Sequence, residues 1–346
     1  TNGKGSVSFF LESIFFHAGM RTGLYTSPHL VDVEERFRIG RSNAEARNWL
    51  SVYNDIEELC ERLDLTFFEI TTLIAFELFR REGTEFNVFE TGLGGRFDAT
   101  NVCAPVVSVI TSVDIDHTEY LGNDLVSIAS EKLGIVKPGI PLVISSGNKQ
   151  EVLKEAEVRC REQGSEIIYA SGYEGELRGP EFMRMNAGCA VEAARLCGID
   201  IDFSKALNTT EIPGRFQVIS VGDKDIIIDV AHNPQAVGVL CSSMKERFDK
   251  CDTLVIAGIM RDKEYNDMLR QYSGIADAVV CTNPGVDRAA GTGLLAEAAR
   301  EWFNYVYEFP DIEIAFEKGL EMSYKRVLIT GSFFTAGKAI EYLRRV

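Results

Sequence analysis

Apolar runs of four to six residues recur along the chain, and nearly every one ends on a polar or charged residue with Gly or Pro close by. Short runs bounded in this way read as buried β-strands. The first series is "TGLYT" at 22–26, "FNVFE" at 86–90, "VVSVIT" at 106–111 and "PLVIS" at 141–145. The second is "DIIID" at 225–229, "TLVIAG" at 253–258, "DAVVC" at 277–281 and "RVLITG" at 326–331. Helical patterns fall between them, among them 7–18, 66–80, 123–133, 184–196, 235–248, 293–304 and 335–345. Strands alternating with helices predict α/β architecture with parallel sheets. "EIPGRF" at 211–216 separates the two series, because Pro213 and Gly214 interrupt any regular element. The expected organisation is therefore a P-loop-type, mostly parallel sheet domain over 1–212 and a smaller Rossmann-like α/β domain over 213–346.

The residues that close these strands carry the chemistry. Ser27-Pro28-His29 follows the first strand, Glu90 the second, and Asp114, Asp116 and His117 the third. In the second series Asp229 precedes Ala231-His232-Asn233-Pro234, Asp262-Lys263 follows the next strand, and Ser332 follows the last. Ligands of open α/β sheets sit outside the carboxyl ends of the strands. Both halves present polar groups there, so one site shared by two domains is expected.

Composition narrows the partners. Of 346 residues, 45% are apolar and 25% charged, the balance of a globular protein. A net charge of −16 argues against nucleic acid, which wants a basic face. Small anions remain admissible, since they feel the local field. No apolar stretch approaches the roughly 20 residues that span a bilayer, so no membrane partner is expected. The eight cysteines form no C-x-x-C pair and read as thiols of a reducing compartment, the cytoplasm. The chain is expected to act as a monomer.

"TNGKGS" at 1–6, ahead of an apolar helical run, fits a loop whose backbone N–H groups and helix N-terminus hold phosphate. Asn2, Gly3, Lys4, Gly5 and Ser6 would form it, with Lys4 reaching the terminal phosphates of ATP. An ordinary P-loop places Ser or Thr directly after the Lys to ligate Mg²⁺, whereas Gly5 stands there. Hard oxygen ligands must then come from elsewhere. Ser27, Glu90 and His117, at three successive strand ends, are the candidates. Each alone has a duller explanation: a turn cap, a solvated strand end, a half-buried histidine.

The chain resembles the Mur-ligase superfamily, and within it the folylpolyglutamate synthase and bifunctional dihydrofolate synthase branch. The matching stretches run nearly end to end: "TNGKGSV", "TSPHLVDVEERFRI", "FETGLGGRFDATNV", "VDIDHTEYLG", "IASEKLGIVKPG", "PGRF", "IIIDVAHNPQAV", "AGIMRDKEY" and "ITGSFFTAGKAI". "TSPHL", "GLGGRFDATN" and "DVAHNP" are specific to the folate branch. The resemblance implies that ATP phosphorylates a carboxylate of folate or dihydropteroate and that the amine of L-glutamate displaces phosphate from the acyl phosphate. It implies two Mg²⁺ sites served by Ser27, Glu90, His117 and Lys132, the last as a carbamate. It further implies that Asn186 contacts adenine, Arg215 reaches the phosphates from the hinge, Asp229 lies near the ribose and His232 near the phosphates. Lys132, His117, Arg215 and His232 are the expected catalytic set. Lys263 and Ser332 are expected to hold the incoming amino acid, and Phe68 to face the pterin.

Two departures stand out. The family carries a strand and a first Gly ahead of the loop, and 165–185 is shorter than its counterpart, so the chain reads as part of a longer ligase. Two alternatives remain: a Mur-type peptide ligase of cell-wall synthesis, and a non-catalytic nucleotide-binding fragment.

Overall fold

In a computed structural model, which describes residues 2–116, 118–248 and 250–345, the chain divides into two units, Thr1–Glu211 and Ile212–Val346. In the first, α1 (Lys4–His17) leads to β1 (Thr22–Tyr25), β2 (Phe37–Ile39) and β3 (Ser42–Asn43). Two helices follow, α2 (Ala46–Arg62) and α3 (Phe67–Glu82), then β4 (Phe86–Phe89) and β5 (Ser108–Ile110). The unit continues with α4 (Thr118–Leu121), α5 (Leu125–Lys132), β6 (Leu142–Ser145), α6 (Gln150–Gln163) and β7 (Ile167–Ala170), and closes with α7 (Phe182–Leu196) and α8 (Phe203–Asn208).

Its strands form two sheets, ordered β3-β2-β1-β4 and β5-β6-β7. β1 runs parallel to β4, and β5, β6 and β7 are parallel throughout. β1 and β6 are buried at every position, as strands covered on both faces are. α1 buries Val7, Phe10, Leu11, Ile14 and Phe15. One core gathers Tyr25, Phe37, Ile74, Leu78 and Phe79; a second gathers Ile110, Ile128, Leu133, Leu142 and Ile144.

Local sequence explains the helix limits. α3 starts on a capping box in which Thr66 Oγ1 accepts from Glu69 N and Glu69 Oε2 accepts from Thr66 N. It stops at Gly83, whose φ of 60° is left-handed. Asp124 caps α5 by accepting from Ser127 N at 2.9 Å.

The second unit holds β8 (Gln217–Val221), β9 (Lys224–Ile228), α9 (Pro234–Arg247), β10 (Thr253–Ala257), α10 (Tyr265–Tyr272), β11 (Ala278–Asn283) and α11 (Thr292–Ala299). It ends with β12 (Tyr305–Asp311), α12 (Ile312–Glu321), β13 (Arg326–Thr330) and α13 (Phe333–Leu343). One sheet, ordered β12-β11-β10-β13-β9-β8, is parallel except where β8 meets β9. All eight strands expected from the apolar runs are present. Among the described residues no helix is long and apolar enough to cross a membrane.

Candidate active site

The loop before α1 is shaped by glycine. Gly3 is the N-cap of α1 at φ 90°, ψ −10°, a left-handed conformation that costs other residues strain. Space forbids a side chain as well: a Cβ at Gly3 would lie 2.4 Å from Asn186 Oδ1. Asn186, on α7, therefore stands against the loop that sequence assigned to phosphate. The carbonyl of Asn2 accepts from Thr111 Oγ1 at 2.8 Å and Ser112 Oγ at 3.1 Å, which ties the loop to the end of β5. Ser6 is buried in the first turn of α1.

Glu90 ends β4 and is buried, with its N–H bonded to Tyr25 O and its Oε2 accepting from Ser27 N at 3.1 Å. A Cβ at Gly5 would stand 3.5 Å from Glu90 Oε1. The absence of a side chain after Lys4 thus brings the α1 backbone up to a carboxylate. Lys4, Glu90 and Lys132 all line one cavity of about 490 Å³.

Lys132 is the last residue of α5, and only 7% of it is exposed. Burial, and then the positive charge of Lys4, push its amine down to about 8, while Asp116 and Asp98 pull the other way. The sequence carried a signal for this burial. Leu125, Ile128, Ala129 and Lys132 follow the i, i+3, i+4, i+7 pattern of an apolar helix face, so Lys132 occupies a core position. His117 lies outside the described residues. Among the described residues no three His, Cys, Asp or Glu side chains gather as a metal cluster, so a metal here would need the donors expected from Ser27 and Lys132.

Sequence reasoning missed Asp98. This buried carboxylate accepts from Gly92 N and Leu93 N through Oδ2, and from Thr100 N and Thr100 Oγ1 through Oδ1. It folds "TGLGGRFDAT" into a fixed loop beside Glu90, a role its place in a Gly-rich stretch could have suggested. Phe68 packs on that loop, since a Cβ at Gly92 would meet its ring at 2.8 Å. Its other ring neighbour is Tyr25, at 6.1 Å between centroids.

In the second unit a group forms around Phe333. The Arg215 guanidinium lies over the Phe333 ring at 5.1 Å, and the His232 ring is 5.5 Å from it. Asp229, buried just after β9, accepts from Phe216 N and Ala231 N, each at 2.8 Å. Burial holds its carboxyl above the usual range, opposed by Arg215 and the two N–H groups. His232 Nδ1 is 3.0 Å from Val230 O. Ser332 caps α13, its Oγ accepting from Thr335 N at 3.1 Å and lying 2.8 Å from Thr335 Oγ1. Lys263 stands on the loop after β10, with Nζ 3.5 Å from Asp262 Oδ2.

Known proteins share this fold. The Mur ligase, glutamate ligase domain family matches residues 214–333. A dihydrofolate synthase/folylpolyglutamate synthase of Escherichia coli (strain K12) is 32% identical over 364 residues, covering 99% of this chain and 85% of that protein. The solved structure of E. coli FolC in complex with DHPP and ADP is similar at a TM-score of 0.91 and 30% identity, over 100% of this chain and 88% of that one. A bifunctional folylpolyglutamate synthase/dihydrofolate synthase with Mn, AMPPNP and L-glutamate bound gives 0.88 at 30% identity, over 99% and 88%.

Proposed function

The chain belongs to the dihydrofolate synthase/folylpolyglutamate synthase family, and from that premise we propose that it is an ATP-dependent ligase that joins L-glutamate to folate or dihydropteroate. The observation that carries this reading is similarity across 99% of the chain to a protein of that activity. The alternative, a cell-wall peptide ligase, shares the Mur fold but not those relatives.

The chemistry follows from the groups in place. ATP transfers its γ-phosphoryl to a substrate carboxylate, and the glutamate amine attacks the acyl phosphate to form an amide and release phosphate. Catalysis of such a transfer is mostly positioning and charge neutralisation. Asn2, Gly3, Lys4, Gly5 and Ser6 bind the phosphates, with the α1 N-terminus and the Lys4 ammonium facing them. Asn186 holds the adenine side from its place beside Gly3. Arg215, Asp229 and His232 act on phosphates and ribose, Lys263 and Ser332 on the amino acid, and Phe68 on the pterin.

A divalent cation fits the donors at hand. The buried Glu90 carboxylate is a hard oxygen ligand, and the Ser27 hydroxyl and His117 complete the set proposed for two Mg²⁺ ions. Bound there, the ions neutralise charge on the phosphates. Lys132 joins them as a carbamate: an amine pushed to about 8 is neutral often enough to capture CO₂, and the product is an anion beside Lys4. Among the described residues seven cysteines are free thiols, which supports a reducing compartment, the cytoplasm.

The test offers the protein ATP and L-glutamate, with dihydropteroate and tetrahydrofolate supplied separately. Phosphate release that requires both glutamate and a pterin acid is expected. Turnover with a UDP-sugar peptide, and none with either pterin acid, would overturn the assignment.

A further inference from the structure

Among the described residues two basic side chains are buried, Lys132 and Arg36, each only 7% exposed. A lysine can lose its proton when buried, whereas a guanidinium keeps it. A buried cation of that kind needs an anion beside it. Arg36 has none. Its Nε donates to His29 Nδ1 at 2.9 Å and its guanidinium lies over the Phe67 ring at 5.1 Å, but among the described residues no carboxylate pairs with it. Arg38, two residues on, has the usual arrangement, with Glu12 at 3.0 Å. The acid next to Arg36 in sequence, Glu35, is engaged elsewhere: its carboxylate accepts from Leu30 N, Val31 N and Asp32 N.

These contacts aim the group. With Nε held by His29 and one face of the plane covered by Phe67, the two Nη atoms are left as a fork. That is the geometry that grips a carboxylate with two parallel bonds. Neither Nη atom is sealed from solvent, and Phe67 is itself 57% exposed. The fork also stands beside the expected reacting centre. Thr26 N donates to Arg36 O at 3.1 Å, and Tyr25 pairs with Phe37 across β1 and β2. Arg36 thus touches the neighbour of two site residues: Thr26 precedes Ser27, the hydroxyl proposed for the metal, and Phe67 precedes Phe68, the ring proposed for the pterin.

We propose that Arg36 is a specificity residue, which holds the carboxylate that does not react on the glutamyl tail of a folate substrate. The proposal rests on the ligase reading above. The glutamyl end of a folate carries two carboxylates a few bonds apart. One must meet ATP at the metal donors, which leaves the other within a glutamyl's length of Ser27, where the fork stands. Dihydropteroate has a single carboxylate, the one that reacts, and offers nothing to Arg36. The fork would therefore favour folates and decide which of their two carboxylates is activated.

The test compares tetrahydrofolate with its amide analogue, in which the carboxylate left free in the product is converted to a carboxamide, with ATP and L-glutamate saturating. The unaltered protein should show a KM at least about tenfold higher for the amide, since a bidentate, charge-assisted pair is lost. Arg36→Met should raise KM for tetrahydrofolate towards that level and treat the two compounds within about twofold of each other, the loss falling on KM rather than kcat. Arg36→Lys, which keeps the charge and loses the fork, should discriminate to an intermediate degree, and it serves if the methionine variant does not fold. Equal KM values for the two compounds in the unaltered protein would overturn the proposal, as would undiminished discrimination in either variant. Turnover of dihydropteroate with none of tetrahydrofolate would overturn it and leave the ligase reading intact; turnover of neither would remove both.

Discussion

Replacing Gly3 with Ala tests the phosphate loop at its tightest point. At φ 90° an L side chain meets its own backbone, at a cost of about 1–2 kcal/mol. The new Cβ would also sit 2.4 Å from Asn186 Oδ1 and 3.2 Å from its Cγ, so the amide or the loop must shift. If the loop yields, the first N–H groups of α1 turn away from bound phosphate. Each charge-assisted bond lost is worth about 1.5–3 kcal/mol, or roughly tenfold or more in affinity. Gly3→Ala should therefore lower the Tm of the first unit by several degrees, for about 2 kcal/mol of strain in a unit of this size. It should weaken ADP binding in calorimetry by at least about tenfold. Asn186→Ala removes the clash but not the backbone strain, so the double variant should recover part of the lost affinity. A purely additive cycle would separate Asn186 from the loop, and wild-type ADP affinity in Gly3→Ala would remove the loop from the nucleotide site.

Lys132 has a folded pKa of about 8 against an ordinary 10.5, so the native state binds fewer protons than the unfolded one between those values. The burden of its buried ammonium is full below pH 8 and lifts as pH rises towards 10.5. In CO₂-free buffer Lys132→Met should stabilise the protein at pH 7 by up to about 3 kcal/mol and less at higher pH, while ligase activity is lost. Bicarbonate should raise the wild-type Tm and leave the variant's unchanged; an active variant would refute the carbamate. Asp229→Ala orphans the Phe216 and Ala231 N–H groups, and a loss of at least about 2 kcal/mol in denaturant unfolding is expected even after relief of a buried charge. Unchanged stability would show that those bonds contribute nothing. Ser332→Ala removes the α13 N-cap, costing about 1 kcal/mol in denaturant unfolding, and should also raise KM for glutamate severalfold. An unaltered KM would leave Ser332 a cap and nothing more.

What the sequence revealed and what it concealed divide along physical lines. Strands buried on both faces, such as β10, read as unbroken apolar runs and were visible at once. β12 was not, because "YVYEFPD" contains a proline and is half exposed at the sheet edge. Ser27, Glu90, Asp229 and Ser332 stand out for a similar reason, each following an apolar run. The contacts between site residues do not. Gly3 meets Asn186 across the whole of the first unit's sequence, and no periodicity encodes such a meeting. Asp98 looked like one more acid in a glycine-rich stretch, yet its four hydrogen bonds build the loop beside Glu90. Lys132 could have been placed on the apolar face of α5 from its spacing alone. Its proximity to the Lys4 charge could not, because that depends on two helices far apart in sequence.

The charge of −16 looks unsuited to a ligand with three phosphates, and the resolution lies in where the acids are not. Helix N-termini carry partial positive charge, which a first-turn carboxylate would cancel. α3, α6, α10 and α12 each have such an acid, whereas α1, α9 and α13 have none. The helices that follow the phosphate loop, the Asp229–Asn233 turn and Ser332 are among those left uncancelled, as are α2, α5, α7, α8 and α11. Glu12 is the one acid within α1, and it is spent on Arg38 at 3.0 Å, about two turns from the loop. At physiological salt the surface acids are screened beyond about 8 Å, so a phosphate entering the loop feels the helix end and Lys4 rather than the total. The same logic explains why two lysines can share the cavity with Glu90. Before ligands arrive, burial and then repulsion from Lys4 lower the Lys132 amine to about 8.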